Sequence, residues 1–366
     1  MLRAIAILLV FNWHYHGKGG VSWLSWVSPY GWTGVDLFFV LSGFLIAGQL
    51  FKPLKTGGVP SLKRFYLKRS FRILPAYLVV VGLYFLIPAW NEGNGLPPLW
   101  KFLTFTQNFG LDRSQASGFS HAWSLCVEEH FYLTLPSLVF FVWWMRDQIK
   151  PKFFAFALPV TVFILGMALR AGLWFKFISP ALADPNHKEF TNFFDEVIYY
   201  PSYNRLDGLL VGVVIALLFT FRPTFKERLE RSPNLPAVIG LIFLGLAAWI
   251  ISDRTSLVAV VFGFPAFSLG YGGLVMSAAT PRSILNRIHI PGSAWMATLA
   301  FTLYLTHKEL IHLFQPLFKS SGFFPNETMM LLGVFAASLA GALVLHLMIE
   351  QPFLNLRKRM ESHGRK

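Results

Sequence analysis

The chain of 366 residues contains one cysteine, Cys126, so no disulfide can form within it and oxidative cross-links carry none of the fold. Charge is scarce as well. Asp, Glu, Lys and Arg make up 14% of residues, against roughly 25% in ordinary soluble domains, and a soluble enzyme of this length needs more charge to cover its surface. Long polar tracts are missing, which excludes a disordered chain. There is no internal repeat and no low-complexity segment. No small-x-small cleavage site follows the apolar run Ala4 to Trp13, because Trp13, His14 and Tyr15 stand where one is needed. That run therefore reads as a short first span and not as a removable signal.

What is present is apolar surface. Apolar residues make up 54%, about 198 positions, and mean hydropathy is +0.52. A spanning helix uses roughly 20 residues, so there is material for about ten. The apolar stretches are continuous and do not alternate over ten-residue strands, which favours helices over a barrel. The expectation is an all-α, polytopic transmembrane helix bundle. Its spans fall near 2–16, 32–51, 73–90, 127–145, 154–175, 205–221, 236–251, 257–279, 294–314 and 329–349, separated by Gly- and Pro-rich loops. One membrane domain over 1–352 and a basic tail over 353–366 is the simplest division.

The net charge of +14 suggests nucleic acid in a soluble protein, but here its location matters more than its sum. With the N-terminus inside, 22 of the 32 Lys and Arg fall on the cytoplasmic side: Arg3, seven from Lys52 to Arg72, Arg146, Lys150, Lys152, four from Arg222 to Arg231, Arg282, Arg287, and five from Arg357 to Lys366. Seven fall outside, including Lys18, Arg113, Lys188 and Arg254, and Arg170, Arg205 and Lys308 stand in or beside spans. The bias places both termini in the cytoplasm and expects an even number of spans. The basic tail reads as a solvated face beside anionic lipid.

Ionisable groups within spans are costly and usually functional. Arg3 and His14 are eleven positions apart, which brings both side chains to one helix face about 16 Å apart along the axis. An anion held at the cytosolic mouth would then place its far end beside a buried imidazole. A plain basic anchor with an interfacial histidine fits the same spacing. Arg69 and Arg72 are i,i+3 neighbours, and two guanidinium forks on one face suit a phosphate or pyrophosphate; a juxtamembrane basic cluster is the alternative, and it accounts for Lys63, Arg64 and Lys68. Glu128 and Glu129 open the fourth long apolar stretch. Adjacent helical residues point about 100° apart, so one could orient or balance His14 while the other pairs with an arginine; a structural ion pair between helices is the other reading. Cys126 is read as a small apolar side chain. His14, His16, His307 and His312 lack a recognised ligand spacing, so no metal is expected. Gly43 and the Gly270, Gly272, Gly273 group are read as close helix contacts. Arg205 and Asp207 are candidates for an ion pair or a polar lining of the site.

Six segments in order carry a resemblance: Arg3 with His14; Phe38-Phe39-Val40-Leu41-Ser42-Gly43-Phe44-Leu45-Ile46; Arg69-Ser70-Phe71-Arg72-Ile73-Leu74-Pro75-Ala76-Tyr77; Trp123 to Tyr132; Phe301 to His307; and Glu350-Gln351-Pro352. Together they resemble acyltransferase family 3, the bacterial membrane O-acyltransferases of surface polysaccharides. Cys126 and His130 depart from its more common Ser and Gln. The chain begins Met1-Leu2-Arg3, where family members usually carry several residues before the first span. It ends 17 residues after Ile349, so no further extracytoplasmic domain is expected.

The resemblance implies acyl transfer, usually acetyl, from cytosolic acyl-CoA (acetyl-CoA) to a hydroxyl of a carbohydrate acceptor outside the bacterial cytoplasmic membrane. Arg69 and Arg72, with Arg3, would hold the CoA phosphates. His14 would be general base, with Glu128 as its supporting carboxylate and Glu129 second. Neither metal nor nucleic acid is implied, and oligomeric state is left open. A transporter of a glycan or lipid-linked glycan explains the spans and buried charges equally well, but not the pairing of a cytosolic Arg-x-x-Arg with a span histidine.

Overall fold

A computed structural model describes residues 1–17, 20–148, 151–184 and 190–363. Lys18, Lys150, Lys188, Arg365, Lys366 and the side chain of Lys152, all counted in the loop charges, lie outside the described residues. Among the described residues the regular structure is helical throughout. The main helices are α1 (Leu2–His16), α2 (Gly34–Lys55), α3 (Leu62–Leu86), α4 (Trp123–Trp144), α5 (Pro151–Leu173), α6 (Asp207–Phe221), α7 (Pro223–Arg231), α8 (Leu235–Ile250), α9 (Phe264–Ala279), α10 (Ser293–Ser321), α11 (Glu327–Leu345) and α12 (Gln351–His363).

A helix stands at each of the ten expected stretches, but they are not alike. Six helical runs are long and apolar enough to cross a membrane, and a seventh if α6 and α7, bent by 99° at Arg222, count as one span. α1 and α8 are short, at 15 and 16 residues. α10 has the length, at 29 residues, but carries His307, Lys308, Glu309 and His312 in its middle, which lowers its apolar character. The protein is thus an all-α, multi-pass membrane protein. α12 continues the last run and carries Arg357, Lys358 and Arg359 of the expected tail.

In a bilayer, helices associate through close packing and not through a hydrophobic drive between them, so small residues mark the contacts. α2 and α6 form the most extensive pair. A Cβ at Gly43 would run into the carbonyl of Leu209, and one at Gly212 into that of Val40. α8 and α9 meet the same way: a Cβ at Gly240 would lie 2.5 Å from the carbonyl oxygen of Gly270. The glycines read from sequence as helix contacts are therefore contacts, with Gly43 on the first pair and Gly270 and Gly273 on the second. α1 packs between α2 and α10, and α10 packs on α11. This arrangement sets α1, with Arg3 at one end and His14 at the other, against the polar middle of α10.

Two buried ion pairs tie the bundle together. Arg170 of α5 grips Asp207 with two bonds of 2.8 and 2.9 Å, and also donates to the Asn204 carbonyl. Arg205 donates to Asp36 of α2 at 2.8 Å and lies under the ring of Phe264 at 4.2 Å. The pairing entertained between Arg205 and Asp207 is not formed. Residues two apart near a helix start diverge by about 200°, so each finds its partner on a different helix.

Candidate active site

The first polar centre is a cavity of about 80 Å³ where α1, α2, α3, α4 and α10 converge. Arg3, Arg69, Arg72, Glu128, Glu129 and Tyr304 all face it. Their side chains are half-buried, apart from the buried Tyr304, whereas Lys63 and Arg64 are exposed. Glu128 is fixed by two hydroxyls: Ser42 donates to Oε1 at 3.0 Å and Tyr132 to Oε2 at 2.6 Å. The Arg69 guanidinium lies 4.9 Å from the Tyr132 ring centre, a cation–π placement that fixes the fork without neutralising it. Three guanidiniums against two carboxylates, of which Glu128 is anchored, leave a surplus of positive charge, which is what a phosphate-bearing ligand needs.

The second centre gathers three histidines. His14 Nδ1 lies 3.0 Å from His307 Nε2, and the ring of His121 is 5.8 Å from that of His14 and 5.0 Å from that of His307. His307 and His121 are buried, at 0% and 4% exposure, while His14 is only half-buried. His14 is therefore the ring that an incoming group can reach. The Tyr304 carbonyl accepts from both buried rings, from His121 Nε2 at 3.1 Å and His307 Nδ1 at 2.9 Å.

A charged network surrounds these rings. Lys308 Nζ sits 2.7 Å from Glu92 Oε1 and donates to Ser120 at 2.9 Å. Tyr84 donates to Glu92 Oε2 at 2.8 Å. Phe119, at φ +51°, stacks on Tyr84 with ring centres 4.5 Å apart and donates its N–H to Glu92 at 3.2 Å. That turn, in a backbone region non-glycine residues seldom adopt, delivers His121 to the cluster. Glu309 is fully buried, and its nearest polar neighbour of note is His121 Nδ1, 3.9 Å away.

Tyr304 joins the two centres. It faces the basic cavity, its hydroxyl donates to the His121 carbonyl at 2.6 Å and meets Ser124, and its ring packs 5.8 Å from His307. A larger cavity of about 490 Å³, between α4, α5 and α6, is lined almost wholly by apolar side chains such as Phe131, Leu135, Phe156 and Val213. His130 stands at its edge and bonds Ser202 at 2.7 Å. Size alone points there, but the clusters of acidic and basic groups are elsewhere, and among the described residues only His130 and Arg146 bring acidic or basic side chains to it.

The structure gathers Arg3, Arg69, Arg72, Glu128 and Glu129 in one cavity and sets His14 in the other centre. The expected support of His14 by Glu128 takes a different form: Glu128 is held by Ser42 and Tyr132, and the ring that meets His14 is His307. Cys126 is buried with its thiol against the Ala122 carbonyl, 3.6 Å away, and has no imidazole partner among the described residues. From sequence, His307 enters only as a candidate metal ligand and as the end of the Phe301 to His307 segment, and Lys308 only as a charge in or beside a span; His121, Glu92 and Glu309 are given no role. The signal was present in His307-Lys308-Glu309, three consecutive ionisable residues inside a long helix, a costly placement without a role.

Glu92, His121 and Glu309 also bring one ligand atom each within 4.8 Å of one another. Lys308 already supplies positive charge to Glu92, which also accepts from Tyr84 and Phe119, while Nδ1 of His121 and both oxygens of Glu309 have no hydrogen-bond partner among the described residues.

Comparison with known proteins agrees with these features. A family model described as an acyltransferase domain matches residues 1–347. Peptidoglycan O-acetyltransferase OatA of Listeria monocytogenes is 26% identical over 340 residues, covering 86% of this chain and 49% of that protein. YrhL of Bacillus subtilis, a candidate peptidoglycan O-acetyltransferase, is 25% identical over 333 residues, covering 86% and 48%. A candidate O-acetyltransferase of Staphylococcus aureus is 26% identical over 331 residues, covering 85% and 50%. The chain thus spans about half the length of the curated relatives it matches. No solved structure matches it.

Proposed function

The chain belongs to this acyltransferase family, and from that premise we propose that it is a membrane-embedded O-acyltransferase, moving an acetyl group from cytosolic acetyl-CoA to a carbohydrate hydroxyl on the far side of a bacterial cytoplasmic membrane. One observation carries the reading. A single short helix holds Arg3 in a basic cavity and His14 in a histidine cluster, about 16 Å further along its axis, with Tyr304 touching both. A donor with phosphates at one end and a thioester at the other matches two such centres on one line.

In this reading Arg3, Arg69 and Arg72 hold the CoA phosphates, and the cavity and both termini are cytoplasmic, which the bias of Lys and Arg in the loops supports. Glu128 and Glu129 belong to the donor site. Glu128 balances the guanidiniums and, through Tyr132, holds the ring under Arg69. His14 takes the proton of the acceptor hydroxyl as its oxygen attacks the thioester carbonyl carbon. The tetrahedral adduct collapses, the C–S bond breaks, and the thiolate of CoA leaves and takes the proton from the His14 imidazolium, which regenerates the neutral base. Tyr304 lies between cavity and histidines, so the donor arm needs this side chain to move.

The peptidoglycan relatives make a cell-wall glycan the first acceptor to try. The test is a comparison of envelope glycans by mass spectrometry with and without the gene. Loss of one acetyl increment from a defined glycan supports the reading, and unchanged acetylation of every envelope glycan overturns it. A glycan transporter leaves the histidine pair and the arginine cavity without a task; it would neither bind nor hydrolyse acetyl-CoA.

A further inference from the structure

We propose that His307 is the positioning residue of the reaction, setting the tautomer of His14 so that its Nε2 is the nitrogen that receives the acceptor proton. This rests on the acyl-transfer reading for its purpose, but the tautomer itself follows from hydrogen-bond geometry alone.

His307 Nδ1 lies 3.0 Å from the Leu303 carbonyl oxygen and 2.9 Å from that of Tyr304. Carbonyl oxygens only accept, so Nδ1 carries a proton. A neutral imidazole has one N–H and one lone pair, which leaves Nε2 of His307 as the acceptor. Its partner is Nδ1 of His14 at 3.0 Å. That atom must then be an N–H. The Val10 carbonyl, 3.0 Å from the same Nδ1, demands the same proton. Three carbonyls on two helices thus fix both rings, and the lone pair of His14 is left on Nε2.

The consequence is chemical. In the serine hydrolase arrangement a carboxylate holds the catalytic histidine in the useful tautomer, and the wrong tautomer lowers turnover by about four orders of magnitude. Here a buried neutral imidazole does that work. It imports no negative charge beside Lys308 and His121, and it stabilises the imidazolium that forms when His14 takes the proton, since the Nδ1–H then bonds more strongly to His307 Nε2. His307 does not touch the substrate. It also explains why neither Glu128 nor Glu129 is needed at His14.

The test has two arms. In the first, the full chain in lipid is labelled with ¹⁵N-histidine and its solid-state NMR spectrum compared with that of His14→Ala. The His14 resonances should show Nδ1 protonated and Nε2 bare; the opposite pattern overturns the proposal whether or not the protein transfers acyl groups. In the second, acetyl transfer is measured for His307→Gln and His307→Asn. The glutamine amide reaches the place of Nε2 and its carbonyl oxygen can accept from His14; the asparagine amide stops at the place of Nδ1. Asparagine should lower kcat by about a hundredfold or more with the KM for acetyl-CoA little changed, and glutamine should recover most of the loss. Equal rates for the two variants contradict the role. If the unaltered chain shows no transfer, the functional reading fails, and the first arm alone decides the tautomer.

Discussion

His14 Nδ1 and His307 Nε2 lie 3.0 Å apart although 293 positions separate them in the chain. The contact exists because α1 packs along α10, and it converts a lone histidine near the end of a short helix into one with a fixed proton and an open face. Around it, the proposed reaction divides two tasks by position: binding of a phosphate-bearing donor at Arg3, Arg69 and Arg72, and proton transfer at His14.

The donor site makes a prediction about binding. Arg69→Ala and Arg72→Ala should each raise the KM for acetyl-CoA by about tenfold or more, the cost of a charge-assisted hydrogen bond, with kcat changed much less. Arg69→Lys should recover little, because an ammonium cannot reproduce the planar stacking on Tyr132. Lys63→Ala, at an exposed position, should leave the KM unchanged. Steady-state kinetics at fixed ionic strength checks all four.

The Glu128 anchor should be sensitive to its hydroxyls. Tyr132→Phe removes the 2.6 Å bond and leaves the ring under Arg69. Acetyl-CoA binding should weaken several-fold while the His14 tautomer stays as it is. Titration calorimetry with the full chain in nanodiscs reads the first effect and ¹⁵N spectra the second.

Close helix contact predicts a contrast between glycines. Gly212→Ala drives a methyl into the Val40 carbonyl, whereas Gly48→Ala meets nothing within 4 Å. Overpacking costs about 1–3 kcal/mol, so Gly212→Ala should lower the midpoint of thermal unfolding in detergent and Gly48→Ala should not.

The buried pair of Arg170 and Asp207 should behave asymmetrically. Arg170 is 1% exposed and Asp207 4%. Asp207→Leu alone strands a guanidinium and should cost about 3–5 kcal/mol; Arg170→Met with Asp207→Leu removes both charges and should recover most of that. Thermal unfolding of the two single variants and the double variant measures the coupling.

Much of this was legible in the sequence, and the parts that were not share one cause. The helical class, the Arg3 and His14 register and the glycine contacts follow from local spacing and composition, which a helix converts directly into geometry. The partners of the polar groups do not. His307 for His14, Ser42 for Glu128, Arg170 for Asp207 and Asp36 for Arg205 come from helices 30 or more positions away, and spacing along one helix says nothing about which helix packs beside it. The adjacency of Arg205 and Asp207 pointed to the wrong pair for this reason. Fewer helices than the ten expected are long and apolar enough to span because α1 and α8 are short and α10 interrupts its apolar run with His307, Lys308 and Glu309.

The central claim is tested most directly by single-turnover acetyl transfer from radiolabelled acetyl-CoA to a cell-wall glycan fragment, using the full chain and His14→Ala reconstituted in lipid, with acetyl-CoA binding measured on the same samples. The account predicts that His14→Ala binds acetyl-CoA with nearly unchanged affinity and loses transfer by about two orders of magnitude or more. Full transfer by His14→Ala, in a sample shown to be folded and donor-bound, would contradict it.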